Sequence, residues 1–96
     1  MIFRFDSDTS ALQVHAHAQA ALLGCVTEDL LKQRWLFFAA DGSPLRVDCL
    51  ADGSRQMRPW ASCSSCRLEQ LLPWINAVSG PAGLDTMSAL RRHLGL

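Results

Sequence analysis

Ile2-Phe3-Arg4-Phe5 alternates apolar and polar side chains, the period-two pattern of a short strand. Asp6-Ser7-Asp8-Thr9-Ser10 then supplies residues suited to a turn and a helix N-cap. Residues 11–23 carry two competing periods. Leu12, Val14, Ala16, Ala18 and Ala20 alternate with polar neighbours as a strand would, whereas Leu12, Ala16, Ala20 and Leu23 share a helical face. The run of alanines, the lack of aromatics and the single β-branched residue favour a helix ending near Gly24, and a helix is expected here.

Thr27-Glu28-Asp29 opens a short helix to about Gln33, with acid at the positive end of its dipole. Trp35-Leu36-Phe37-Phe38-Ala39 and Leu45-Arg46-Val47-Asp48-Cys49-Leu50 flank Asp41-Gly42, which predicts a β-hairpin over 35–50. A second turn at Asp52-Gly53 leads to a third strand around Arg55–Arg58, ended by Pro59. Ser64 or Ser65 can cap a helix through Leu72, which Pro73 either kinks or follows with a new turn through Trp74-Ile75. After the break at 79–83, Asp85 caps a helix over 86–94 that finishes in Arg91, Arg92 and His93 with Gly95 behind it. Residues 1–96 therefore read as one small α+β domain. Its small antiparallel sheet, the hairpin 35–50 plus the N-terminal strand, packs its one covered face against three to four short helices.

Apolar residues make up 49% of the chain and charged residues 19%, richer and poorer respectively than typical globular usage. A chain of 96 residues has one interior in which to hide that excess, so part of it is expected to meet a protein partner or a second copy. Nine basic and nine acidic side chains cancel, which argues against nucleic acid as a main ligand. No apolar stretch approaches the roughly 18 residues of a membrane span, and the N-terminus lacks the order of a secretory signal. A cytoplasmic protein with largely reduced cysteines is the expectation.

Cys63-Ser64-Ser65-Cys66 is the strongest chemical signal. Two thiols at this spacing near a helix start, with Arg67 adjacent, suit a redox couple, because dipole and guanidinium both stabilise a thiolate. Trp60-Ala61-Ser62-Cys63-Ser64-Ser65-Cys66-Arg67 resembles the active-site turn of thioredoxin-like oxidoreductases, one residue short before the first cysteine. The resemblance spans about ten residues and implies redox roles for Cys63 and Cys66. No later segment matches the strand pair that completes that family's site. A zinc site would need Cys63 and Cys66 joined by two more ligands, for which His15 and His17 are the candidates. They share a face only if residues 11–23 form a strand. The third alternative is thiols without chemistry, with Cys25 and Cys49 packed in the core.

His15, His17 and His93 could serve as bases, but nothing along the chain pairs them with a nucleophile, and no phosphate-binding glycine loop is present. No cofactor is implied. Trp60 follows Pro59 in a loop beside Arg55 and Arg58, and Leu71-Leu72-Pro73-Trp74-Ile75 is a compact apolar run. The leading expectation is a non-enzymatic interaction module, an adaptor, regulator or assembly factor. Its partner-binding surface would comprise Trp60, Arg58, Arg55, Arg67, Leu71 and Trp74.

Overall fold

Alternation along the first strand sets the layering of the molecule. A computed structural model describes residues 1–60 and 66–96. Its strands are β1 (Ile2–Asp6), β2 (Ala11–His15), β3 (Trp35–Ala39), β4 (Pro44–Cys49), β5 (Arg55–Pro59) and β6 (Ala77–Ser79). Helices α1 (Ala18–Leu22), α2 (Thr27–Leu31) and α3 (Met87–His93) accompany a 3₁₀ helix, Leu68–Trp74. The strands form one sheet in the order β5-β4-β3-β1-β2-β6. Every neighbouring pair is antiparallel except β2 and β6, which run parallel. The chain is α+β as expected, but the sheet is mixed and six-stranded rather than small and antiparallel.

Phe3, Phe5, Leu12, Val14, Leu36 and Phe38 point to one face, where Leu68, Leu72, Ile75 and Leu90 complete a core. Ile2, Trp35, Phe37, Leu45, Val47 and Met57 point to the other, beneath Ala21, Leu22, Cys25 and Leu30. Helical segments thus cover both faces, not one. Successive side chains of a strand point to opposite faces, so a sheet with apolar residues at both parities needs two covers.

The expected helix over 11–23 is replaced by a strand, a two-residue link and a short helix. Leu12 is fully buried opposite Phe5, so tertiary packing overrides the propensity of the alanines, most of which fall in α1. The link from β1 is a tight turn. Asp6 Oδ1 accepts from the Asp8 amide at 2.9 Å, and Ser10 adopts φ 59°. Ala77–Ser79 has no strand pattern of its own. It joins the sheet because the Asn76 amide donates to the Ser10 carbonyl at 2.9 Å and Val78 packs into the core beside Leu12.

The hairpin and the third strand form where Asp41-Gly42 and Asp52-Gly53 predict them, and the two turns are built alike. Asp41 Oδ1 and Asp52 Oδ1 each accept from a serine amide at 2.9 Å and from that serine's hydroxyl at 2.6 Å. Gly42 has φ 86°, and a Cβ there would lie 3.0 Å from Glu69 Oε1 and 3.2 Å from Leu94 Cδ2. The 3₁₀ helix begins at Leu68, later than the helix expected from Ser64 or Ser65, both of which lie outside the described residues. Thr86, not Asp85, caps α3: its hydroxyl accepts from the Ala89 amide at 3.1 Å. Cys25 is buried as expected, whereas Cys49 is exposed and contributes nothing to the core.

Candidate binding groove

The groove arises where two strands part company. β1 stays in register with β3 as far as Asp6↔Trp35, and β4 stays with β5 as far as Cys49↔Arg55. β4 follows β3 only at Phe38↔Pro44 and Phe37↔Leu45. Beyond that fork, Trp35 and Leu36 have no register partner on the β4 side among the described residues. The 3₁₀ helix lies across the fork. Its first amide, Leu68, donates to the Gly42 carbonyl at 2.9 Å, while Gln70 Oε1 accepts from the Arg67 amide at 3.0 Å.

Helix and hairpin enclose a cleft of about 460 Å³. Leu36, Phe38, Pro44 and Leu45 line it from the sheet, and Cys66, Arg67, Gln70, Leu71 and Trp74 from the helix side. Trp60 closes one wall; its amide donates to the Pro44 carbonyl at 3.0 Å, extending the β4–β5 ladder by one step. A second cleft of about 220 Å³ shares Gln33, Leu36, Phe37, Leu45 and Trp60 with the first and continues to Arg46, Asp48 and Leu31. The two are one groove running from Trp74 past Trp60 to Arg46. Gln33, at its edge, holds a left-handed backbone with φ 57°.

Apolar side chains dominate the lining, and the one charge at its first end is satisfied. Arg67 Nε donates to Glu69 Oε2 at 3.0 Å and Nη2 to the Asp41 carbonyl at 2.7 Å. The hydrogen bond and charge of Glu69 raise the Arg67 pKa above its ordinary value, so the guanidinium stays charged. Leu68, Leu71 and Trp74 form a column, because residues three apart stack on a 3₁₀ helix. Leu68 is fully buried, Leu71 half-buried, and Trp74 is 65% exposed at the groove mouth.

Of the residues singled out from sequence, Trp60, Arg67, Leu71, Trp74 and Cys66 line this groove together. Arg58 lies on the same face of the β4–β5 ribbon, bonded to Gln56 Oε1 at 2.7 Å and paired with Asp48 at 3.4 Å. Arg55 does not belong: it faces the other side, donating to the Cys25 carbonyl at 2.5 Å and to Thr27 Oγ1 at 3.0 Å. Leu36, Phe38, Pro44 and Gln70 also line the groove, and none of them is a candidate from the sequence. For Phe38 and Pro44 the Asp41-Gly42 turn is the signal, since it brings them opposite one another.

Cys63 lies outside the described residues. Cys66 is disulfide-bonded, while Cys25 and Cys49 are free thiols. A sulfur held in a disulfide has no thiolate to offer a metal. His15 ends β2, and burial first, then the Arg4 charge, push its pKa down; its buried Nε2 has no hydrogen-bond partner among the described residues. His17 is the N-cap of α1, its Nδ1 accepting from the Ala20 amide at 3.1 Å. The strand alternation thus stops before His17, and the two histidines do not share a strand face. No group of three or more potential metal ligands occurs among the described residues.

On the opposite face, Arg4 and Arg34 lie 4.6 and 4.9 Å from the Trp35 ring centroid. Arg34 also reaches Asp6 at 3.3 Å and Asp29 at 3.3 Å, fixing the turn that carries Gln33. Burial alone would push the Asp6 carboxyl up, but the Arg34 and Asp8 hydrogen bonds together with the Arg34 charge hold it below its ordinary value. No helix among the described residues is long and apolar enough to cross a membrane. The chain matches no protein-family model, and no curated protein or solved structure is detectably similar to it.

Proposed function

We propose that this chain is a cytosolic, non-enzymatic protein-binding module that takes a partner chain, or a second copy of itself, into the groove between the 3₁₀ helix and the β3–β4 hairpin. The observation that carries this reading is Trp74, 65% exposed beside half-buried Leu71 and Trp60 at the rim of an apolar cleft. Tryptophan in such a position gives large contact area for little conformational entropy, which is why it anchors interfaces. The cleft's volume of about 460 Å³ accommodates two or three side chains of a partner.

The test is selection of a displayed library of random twelve-residue peptides against the purified protein, paired with light scattering for self-association. Retained peptides, or the self-associated state, should lose at least about tenfold in affinity on Trp74→Ala and Trp60→Ala, as interface anchors do. A strictly monomeric protein that retains no peptide would end this reading, as would binding indifferent to both changes.

A second reading, thiol–disulfide chemistry, is favoured by one observation: Cys66, beside Trp60 in the groove, is disulfide-bonded. Under that reading the reduced protein carries a thiol at Cys63 that alkylates rapidly well below the usual thiol pKa of about 8.5. Alkylation no faster at pH 6 than that of a cysteine peptide removes it.

A further inference from the structure

The far end of the groove carries charge that bears on what kind of chain enters it. Arg46 and Arg58 are register partners on adjacent strands, on the same face as Pro44 and Trp60. Like charges directly opposite one another destabilise a ribbon. Here a single carboxylate is shared between them: Asp48 lies 3.5 Å from Arg46 Nε through Oδ1 and 3.4 Å from Arg58 Nε through Oδ2. Two guanidinium charges against one carboxylate leave a net positive charge. Both side chains are about half exposed, at 51% and 56%. Among the described residues, Asp48 is the only group that Arg46 engages.

The fork adds a geometric preference. The β3 backbone at Trp35, on the side away from β1, runs beside the groove between Trp60 and Arg46 and lacks a strand partner among the described residues. An extended peptide can satisfy such an edge with its own backbone, sending alternate side chains to one side.

We propose that the occupant is an extended peptide segment of a partner protein, with large apolar side chains seated between Trp74, Leu71 and Trp60 and an Asp or Glu carboxylate meeting Arg46 and Arg58. This rests on the groove being a protein-binding site. It adds orientation and charge: the apolar end toward the 3₁₀ helix, the acidic end toward the β4–β5 ribbon. Arg46 takes part although Arg55 does not.

Two twelve-residue peptide libraries of equal apolar diversity test it, one allowing Asp and Glu, the other only Asn and Gln. The acidic library should yield the tighter peptides, and replacing their acids by amides should weaken them about three- to tenfold, the effect of one or two half-exposed charge pairs. The double variant Arg46→Gln/Arg58→Gln should bind acid and amide versions alike, and Trp74→Ala should weaken both. Equal yield from the two libraries, or an acid preference that survives the arginine changes, overturns this inference while leaving the groove as a binding site. A Trp74-dependent dimer with no retained peptide overturns it in favour of a second copy. A monomer that retains nothing overturns both.

Discussion

The column Leu68, Leu71, Trp74 predicts opposite gradients for stability and for binding. Leu68 is fully buried between the sheet and α3, so Leu68→Ala opens a hole in the larger core. At about 0.8 kcal/mol per buried methylene, the lost side-chain carbons account for about 2.4 kcal/mol. The unfilled cavity brings the total to about 3–4 kcal/mol. At about 4–8 °C per kcal/mol for a domain of this size, Tm falls by about 12 °C or more. Leu71→Ala removes a half-buried side chain and should cost about 1 kcal/mol, and Trp74→Ala, on an exposed ring, less than about 0.5 kcal/mol. Urea unfolding followed by far-UV circular dichroism gives the three values without relying on indole fluorescence, which the last variant alters. Affinity for a selected peptide should fall in the reverse order, most for Trp74→Ala. A Trp74→Ala loss of stability equal to that of Leu68→Ala would place the ring in the core and remove it from the groove mouth.

Three further outcomes follow from the polar framework. Asp6 has a folded pKa below its ordinary 3.8, so its contribution is complete above that value and is lost as pH falls through the lower, folded one; Asp6→Asn should flatten the acid limb of the urea-midpoint profile. His15 is depressed below 6.5, so the unfolded chain takes up its proton first and stability declines as pH drops from about 6.5; His15→Gln should remove that decline between pH 7 and 5. Gln33 holds φ 57°, and Gln33→Gly should raise unfolding free energy by about 1 kcal/mol, measured by the same urea titration.

Turn chemistry made the right half of the sheet legible. Asp-Gly at 41–42 and at 52–53 encodes its geometry within four residues, and the strands on either side need no distant information. Residues 11–15 were not legible in the same way. Their five-residue alternation is decided by Phe3 and Phe5 across the ladder, and it competes locally with an alanine-rich helix pattern. Ala77–Ser79 is shorter than any periodicity can register. The groove was half legible: Trp60, Arg67, Leu71 and Trp74 stand out as large or charged residues between positions 60 and 74. Its sheet wall was not, because it depends on β4 leaving β3 after Leu45. Arg55 misled because a strand sends neighbours an odd number of residues apart to opposite faces, and Arg58 is three positions on.

The most direct measurement is a ¹⁵N–¹H spectrum of the indole N–H groups of Trp35, Trp60 and Trp74, titrated with the tightest acidic, apolar-rich peptide selected from the library. The Trp60 and Trp74 resonances should move together and saturate at one peptide concentration, with the movement lost in a peptide stripped of its large apolar side chains. Saturating peptide that leaves both resonances where they began would contradict binding in the groove.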